Sequence, residues 1–352
     1  MQHGKSFLIY RHVVYFKIPF NFMLNPTAKE MPPNMISIEE HSTLAGVWEL
    51  LEQIGEGFSS QVFLARHSLS GIQAALKRVD MVALTQRYNQ QDFNVLSRLR
   101  SELTILYTLQ HPSIPRPLKF FISGNSAYLC MTYCNGNALS SVLEKHKKLS
   151  EDAVRNIMRQ VLNIVDYIHS EDVCHGDIKL DNLIEDEETG SISVIDFGFS
   201  RRVETGREVK AIGITAPYAP PEAFLTGFIS KGWDIWSSGV VMYVLLMGNF
   251  PFNFQEVEWN TAKKNPVDLA VPYSLSADAV QAMTMMFTVS ILKRPTASQI
   301  LQLPFFKKDG QNTDVYSGND GKNVSFSGGS SESSGSGSSS FRNHDGECHD
   351  SG

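Results

Sequence analysis

No apolar run in this sequence is long enough to cross a membrane. The longest, residues 240–247, is far shorter than the ~20 apolar residues that a transmembrane helix needs. Excess positive charge is also lacking, because 37 acidic residues outnumber 31 lysines and arginines. A net charge of −6 argues against nucleic-acid binding. We therefore expect a protein with no membrane span and no nucleic-acid partner.

Cysteine is scarce, and its four copies lack the spacing of a metal site. Cys130 and Cys134 are close in sequence, but a structural zinc site needs two further ligands that the neighbouring residues do not offer. Cys174 and Cys348 are isolated. We expect reduced thiols in a cytoplasmic protein, with the nucleus as the alternative compartment, and a monomer.

The two ends of the chain differ from its middle in composition. Residues 6–24 are apolar but interrupted by charged residues and a proline, without a clean signal-peptide core. We expect residues 1–47 to be a flexible leader, with a weak targeting signal as the alternative. Residues 309–352 carry seven acidic and two basic side chains, and 325–340 are almost entirely serine and glycine. Such a tail buries too little apolar surface to fold, so we expect it to be disordered.

A hairpin pattern in the middle of the chain points to a site. Two short apolar runs, residues 183–184 and 192–195, enclose an acidic turn that ends in a glycine. Antiparallel strands bring the residue before the first strand beside the residue after the second. Asn182 is therefore expected to face Asp196, with Asp177 nearby. An amide oxygen and a carboxylate suit Mg²⁺, which completes its shell with water and phosphate oxygens. The pattern predicts a metal–nucleotide site.

Residues 175–182, followed by the tripeptide Asp196-Phe197-Gly198, resemble the catalytic loop and metal-binding motif of eukaryotic protein kinases. The resemblance requires a glycine-rich turn upstream, and residues 54–62 provide one. Its glycines allow the backbone to approach phosphates closely, although the family's third glycine is Ser60 here. By itself such a turn is equally typical of an ordinary hairpin.

Lys77 lies in a strand-like run, residues 73–79, on the face that period-two alternation shares with apolar residues. A buried ammonium needs an anionic partner. The helical pattern of residues 92–110 places Glu102 on or beside its apolar stripe, where a carboxylate is otherwise a border residue. We expect a Lys77–Glu102 ion pair, and in kinases this pair positions the lysine on the α and β phosphates of ATP.

Other elements follow in the order that the resemblance requires. Residues 80–91 are expected to form a polar loop or a short extra turn. A strand over 127–133 leads into a hinge at 135–137. Ser150 is expected to cap a long core helix, with acidic residues in its first turn.

Three more expectations concern buried polar residues. Glu222, which ends an Ala-Pro-Pro-Glu segment, is expected to form a structural bridge with Arg294. Asp234 is expected either to cap a helix or, as in kinases, to accept backbone hydrogen bonds from the catalytic loop. His175 is expected to pack in the core without a catalytic role.

The resemblance covers about residues 48–306 and implies a fold class. It implies an α+β, bilobal protein kinase-like fold, with a small β-rich N-lobe that carries one long helix and a larger, mainly helical C-lobe. The kinase domain would span residues 48–308, with the N-lobe at about 48–133 and the C-lobe at about 134–308.

The resemblance also implies a function, an ATP- and Mg²⁺-dependent serine/threonine kinase with a protein substrate. Asp177 would orient the substrate hydroxyl, Lys179 would neutralise the γ-phosphate, and Asn182 and Asp196 would hold Mg²⁺. The serine/threonine preference rests on the place of Lys179, two residues after Asp177, and on Thr215. The residues implied to contact the nucleotide are Ile54, Gly55, Glu56, Gly57, Phe58, Ser59, Ser60, Val62, Ala75, Lys77, Met131, Thr132, Cys134 and Ile184.

The departures from the family pattern leave alternatives open. Gly176 replaces the arginine that normally pairs with a phosphate on the activation segment, so phosphorylation of Thr205 is not expected to be the main switch. Ala138 stands where many kinases that prefer basic substrates have a carboxylate, which leaves Asp181 as the acid nearest to that role. A pseudokinase acting as a nucleotide-binding scaffold is the alternative function, supported by Ser60 and Gly176 alone.

Overall fold

The computed structural model describes residues 13–17, 36–38, 48–57, 60–88, 95–252 and 274–307. All of these belong to one unit of the chain, residues 1–316, and the second unit, 317–352, lies outside the described residues. The expected disordered tail is therefore not tested. Among the described residues, no helix is long and apolar enough to cross a membrane.

An antiparallel sheet forms the N-terminal region, and its central strands, residues 73–80 and 126–132, are largely buried. Its strand order is β2-β1-β6-β7-β5-β4-β3. β1 and β2 fall within the stretch expected to be a flexible leader, and the rest of that stretch lies outside the described residues. The strands are β1 (Val13–Lys17), β2 (Ile36–Ile38), β3 (Trp48–Gly57), β4 (Ser60–His67), β5 (Gln73–Asp80), β6 (Pro117–Ser123) and β7 (Ser126–Thr132).

Two helices, α1 (Met81–Tyr88) and α2 (Val95–Thr108), lie between β5 and β6. The prediction of a polar loop or a short extra turn at 80–91 is therefore wrong, because α1 occupies most of that segment. Asp80 begins that helix, because its carboxylate accepts hydrogen bonds from the backbone amides of the next turn. The apolar face of α2 starts at Leu99, because Leu96 is 51% exposed.

The C-terminal region is mainly helical. Ser150 caps α4 by accepting a hydrogen bond from Ala153 N, as expected, and the predicted apolar face of α4 is buried. The sixth helix is apolar on all sides and buried almost throughout, which places it at the centre of the core. The helices are α3 (Leu139–His146), α4 (Glu151–Ser170), α5 (Pro221–Leu225), α6 (Gly232–Met247), α7 (Ala277–Met286), α8 (Ala297–Leu301) and α9 (Pro304–Lys307).

Short strands lie between these helices in the chain and pair with one another. β8 and β11 flank β10 in a three-stranded sheet, while β9 pairs with β12 and β13 pairs with β14. The strands are β8 (Asn137–Ala138), β9 (Val173–Cys174), β10 (Leu183–Glu185), β11 (Ile192–Val194), β12 (Arg201–Arg202), β13 (Val209–Lys210) and β14 (Phe228–Ile229). A β-rich N-terminal region followed by a mainly helical one is the α+β architecture that the sequence predicts.

Candidate active site

The predicted hairpin is present and brings Asn182 and Asp196 to one place. Strands β10 and β11 pair antiparallel, with Leu183 opposite Val194. Just outside that pair, Ile195 N donates to Asn182 O over 2.9 Å. Asp196 has a left-handed backbone (φ +59°) and accepts a hydrogen bond from Gly198 N, so its side chain turns back towards the cleft that Asn182 also lines.

Lys77 on β5 lies between two carboxylates. Its Nζ is 2.7 Å from Glu102 Oε1 on α2 and 2.7 Å from Asp196 Oδ1, so the expected Lys77–Glu102 ion pair is present. Burial alone would lower the pKa of Lys77, but the charges of Asp196 and Glu102 outweigh it and hold that pKa well above its ordinary value. Burial alone would raise the pKa of Asp196. The charge of Lys77 and its hydrogen bond outweigh burial and keep that pKa below its usual range. Lys77 and Asp196 are therefore both charged at neutral pH.

Three donors hold the buried carboxylate of Asp177 in one orientation. Thr215 Oγ1 donates to Asp177 Oδ1 over 2.5 Å. Lys179 Nζ and Asn182 Nδ2 donate to Asp177 Oδ2 over 2.7 and 3.0 Å. Asn182 Nδ2 also donates to the carbonyl of Asp177. The side-chain nitrogen of Asn182 is thus used in hydrogen bonds within the loop, and its side-chain oxygen is the atom that has the chemistry of a metal ligand.

Asp234 anchors the loop that carries Asp177. This fully buried side chain accepts hydrogen bonds from His175 N and Gly176 N, each over 2.8 Å, and lies 2.9 Å from His169 Nε2. The alternative interpretation of Asp234 as a helix cap is wrong, because Lys231 occupies the N-cap position of α6. Burial alone would raise the pKa of Asp234, but the hydrogen bond and charge of His169 outweigh it and leave that pKa below its ordinary value.

Replacing Asp234 with Asn is expected to lower the free energy of unfolding by about 2–3 kcal/mol at pH 7, because the NH2 group of Asn would replace one of the two oxygens that accept hydrogen bonds from His175 N and Gly176 N, and that backbone donor would lose its acceptor. The folded-state pKa of Asp234 is depressed, so its contribution is present above the unfolded value of about 3.9 and is lost as pH falls below it. Urea unfolding should show the gap between wild type and variant narrowing in acid. A gap that widens in acid would contradict this assignment. The control is Glu144→Gln, which neutralises an exposed carboxylate on α3.

The structure explains why residue 175 is a histidine and residue 176 a glycine. The fully buried His175 ring packs edge-on against Phe197, accepts a hydrogen bond from Asp177 N, and has Nε2 3.1 Å from Ile195 O. Gly176 has φ +76°, and a Cβ there would lie 2.7 Å from Ile229 Cδ1. An arginine at position 176 would need a different local backbone.

The ion pair expected between Glu222 and Arg294 is also present. Two hydrogen bonds of 2.6 and 3.0 Å join the guanidinium to the carboxylate, and both side chains are buried. Arg294 Nη1 also donates to Gly232 O over 2.9 Å. This bridge fastens α5 to the start of α6 and lies outside the cleft.

The cleft between the sheet and the helical region has a volume of about 740 Å³, within the usual range for a ligand site. Phe58 and Ser59 lie outside the described residues, and Asp177 lies beside the cleft through its contacts with Lys179 and Asn182. The predicted site residues that line it are Ile54, Gly55, Glu56, Gly57, Ser60, Val62, Ala75, Lys77, Glu102, Met131, Thr132, Cys134, Lys179, Asn182, Ile184 and Asp196.

Some lining residues are not among the predicted ones. Leu106 lies four residues after Glu102 on α2, and this spacing predicts that both side chains share the helix face that lines the cleft. No sequence signal marks Ser140 and Ser141, because α3 itself is not predicted. At the hinge, Thr132 N donates to Arg116 O, so this backbone amide is not available to a ligand.

The residues of the cleft fit a magnesium nucleotide. Asn182 and Asp196 offer an amide and a carboxylate oxygen, the ligand chemistry of Mg²⁺. Lys77 offers a fixed cation, and the side-chain-free faces of Gly55 and Gly57 leave room for phosphate oxygens. ATP binding by these residues stays a prediction.

Comparison with known proteins gives a consistent result. A family model described as a protein kinase domain matches residues 48–306. CBL-interacting protein kinase 31 from Oryza sativa subsp. japonica is 31% identical over 270 residues, covering 75% of this chain and 58% of that protein. Sperm motility kinase 3A from Mus musculus is 29% identical over 257 residues, covering 73% of this chain and 49% of that protein. The chain thus matches about half the length of these relatives.

Proposed function

Because this chain belongs to the eukaryotic protein kinase superfamily, we propose that it transfers the γ-phosphate of Mg-ATP to a serine or threonine hydroxyl of a protein. The observation that carries the proposal is the arrangement around Asp177. One carboxylate is fixed by Lys179, Asn182 and Thr215 beside the Lys77–Glu102 ion pair. We also propose residues 48–308 as the catalytic domain.

The proposed reaction needs positioning and charge more than covalent chemistry. The acceptor oxygen forms a bond to the γ-phosphorus, the bond between that phosphorus and the β-phosphate oxygen breaks, and ADP leaves. Asp177 accepts the proton of the acceptor hydroxyl, and Lys179 neutralises charge on the transferred group. Lys77, held by Glu102, binds the α and β phosphates. Mg²⁺, when bound by Asn182 and Asp196, supplies positive charge to the phosphate oxygens.

The serine/threonine preference rests on the contacts of Lys179 and Thr215. Both donate to Asp177, from opposite sides of its carboxylate. A lysine two residues after the aspartate and a threonine in the activation segment resemble the arrangement of serine/threonine kinases. A peptide library with a fixed Ser, Thr or Tyr acceptor tests the preference. We expect incorporation into Ser and Thr peptides, and preferential labelling of Tyr peptides would contradict it.

A nucleotide-binding scaffold without turnover is the second candidate, and Ser60 is the observation that favours it. Ser60 replaces the third glycine of the turn, and its side chain restricts the backbone dihedral angles that a glycine would allow there. The turn over the phosphates is therefore less free to change its conformation. The scaffold predicts Mg-ATP binding with no labelled product.

Replacing Thr205 with Ala is expected to lower kinase activity less than about fivefold, because only an exposed hydrogen bond from Lys231 Nζ (2.8 Å) is lost. Thr205→Glu should not activate the enzyme. Initial rates with the same peptide check both variants. A loss beyond about tenfold in Thr205→Ala would identify phosphorylation of Thr205 as the switch.

A further inference from the structure

Phe199 lies where the catalytic loop, α2 and the end of the activation segment meet. Its backbone is held on both sides, because it ends the short turn at residues 197–199 and β12, which begins two residues later, pairs with β9. A Cβ at Gly176 would lie 3.1 Å from its carbonyl oxygen, so the catalytic loop packs directly on this backbone. Phe199 is therefore a fixed point from which its ring extends.

The half-buried ring of Phe199 has a cation over one face and backbone at its edge. The guanidinium of Arg98 lies over the ring, 5.4 Å from the centroid, and Arg98 Nη2 donates to Gly198 O over 3.2 Å. A Cβ at Gly213 would lie 2.7 Å from Cε1 and 3.3 Å from Cζ of the ring. Carbon atoms in contact are about 3.5–4.0 Å apart, so position 213 has room for glycine alone while the ring stays in place.

Gly213 begins the stretch that reaches the catalytic carboxylate. Two residues later, Thr215 Oγ1 donates to Asp177 Oδ1 over 2.5 Å, and Thr215 O accepts from Tyr218 N over 2.9 Å. Because packed groups transmit displacements to their neighbours, the place of Gly213 against the ring limits how closely Thr215 approaches Asp177. A displaced backbone at this contact would move the hydroxyl donor away from the carboxylate.

We propose that Phe199 is a positioning residue whose ring sets the place of Gly213. This contact keeps Thr215 within hydrogen-bond distance of Asp177. It needs no phosphate, which suits a chain with Gly176 in place of the arginine that pairs with a phosphorylated activation segment. An error of about 1 Å in the placement of a catalytic group can cost about 10²-fold in rate. The effect on catalysis rests on the proposed function, whereas the packing does not.

Replacing Gly213 with Ala in the full chain tests the contact, because the added methyl group meets the edge of the ring. We expect kcat with a serine peptide to fall about 10- to 100-fold and KM for Mg-ATP to stay within about twofold, since no residue lining the cleft is changed. Hydrogen exchange followed by mass spectrometry measures the packing itself. Residues 213–218, where Tyr218 N donates to Thr215 O, should exchange faster in the variant.

Removing the ring atoms that the methyl group meets should reverse the loss. Leucine has no Cε1 or Cζ, so Gly213→Ala/Phe199→Leu should be at least about fivefold faster than Gly213→Ala, with exchange returning towards wild type. A purely structural role for Phe199 predicts the opposite, because a second loss of packing would add to the first. The matched control, Gly213→Ala/Phe228→Leu, makes the same change at a 44% exposed phenylalanine of β14 and should stay as slow as Gly213→Ala.

Two results would overturn the proposal. One is a folded Gly213→Ala variant with wild-type kcat and exchange, and the other is a rate that Phe199→Leu restores no better than Phe228→Leu does. If wild-type protein transfers no phosphate, the proposed function fails, and the exchange of residues 213–218 decides alone. Faster exchange in Gly213→Ala that Phe199→Leu reverses then supports the packing, and unchanged exchange overturns it.

Discussion

Replacing Asp177 with Asn is expected to abolish phosphoryl transfer while the chain stays folded. The amide side chain has nearly the size of the carboxylate and could still accept from Thr215, but it could not accept the proton of a substrate hydroxyl. Removing a general base slows such reactions by about 10²- to 10⁴-fold. Initial rates of peptide phosphorylation at saturating Mg-ATP measure the loss, and Mg-ATP binding should change little.

A matched control separates chemistry from folding. Asp152→Asn removes a half-exposed carboxylate at the start of α4, away from the cleft. It should leave the rate within about twofold of wild type, as expected for a surface charge. If Asp177→Asn transferred phosphate as fast as Asp152→Asn, the role assigned to Asp177 would be wrong.

Replacing Lys77 with Met should lower both the rate and the affinity for Mg-ATP. The change removes the cation between Glu102 and Asp196 and leaves the buried carboxylate of Glu102 without its partner. Breaking a buried pair from one side costs about 3 kcal/mol of unfolding free energy, and the loss of a fixed cation at the phosphates should slow transfer by about 10²-fold. Nucleotide titration, peptide phosphorylation and urea unfolding measure the three effects.

Two further variants sharpen the Lys77 experiment. Lys77→Arg keeps the charge but not the shape of the donor, so it should retain more stability than Lys77→Met and still lose most activity. Arg78→Met changes the next residue of β5, whose side chain is exposed and donates to Ser126 Oγ. It should remain active. Equal losses in Lys77→Met and Arg78→Met would argue against a specific phosphate contact.

Much of the fold and site can be predicted because the relevant patterns are local. The apolar period of α4 and its Ser150 cap mark that helix without any distant contact. The hairpin of β10 and β11 follows from two apolar runs around an acidic turn, and it brings Asn182 to Asp196. The Lys77–Glu102 pair can be predicted because each residue has an unpaired charge in an otherwise apolar stripe.

The rest depends on contacts that no local pattern encodes. Asp234 has a carboxylate suited to a helix cap, and only the packing of α6 against the loop at His175 decides which donors it meets. Gly176 needs a positive φ because Ile229 lies against it.

Mg²⁺-dependent transfer of the labelled γ-phosphate of ATP to a serine peptide tests the central claim most directly. Wild-type protein should label the peptide with Mg²⁺, lose labelling when the metal is chelated, and lose it with Mg²⁺ in Asp177→Asn. Wild-type protein that binds Mg-ATP in the cleft and transfers no phosphate to any serine, threonine or tyrosine peptide would contradict the account.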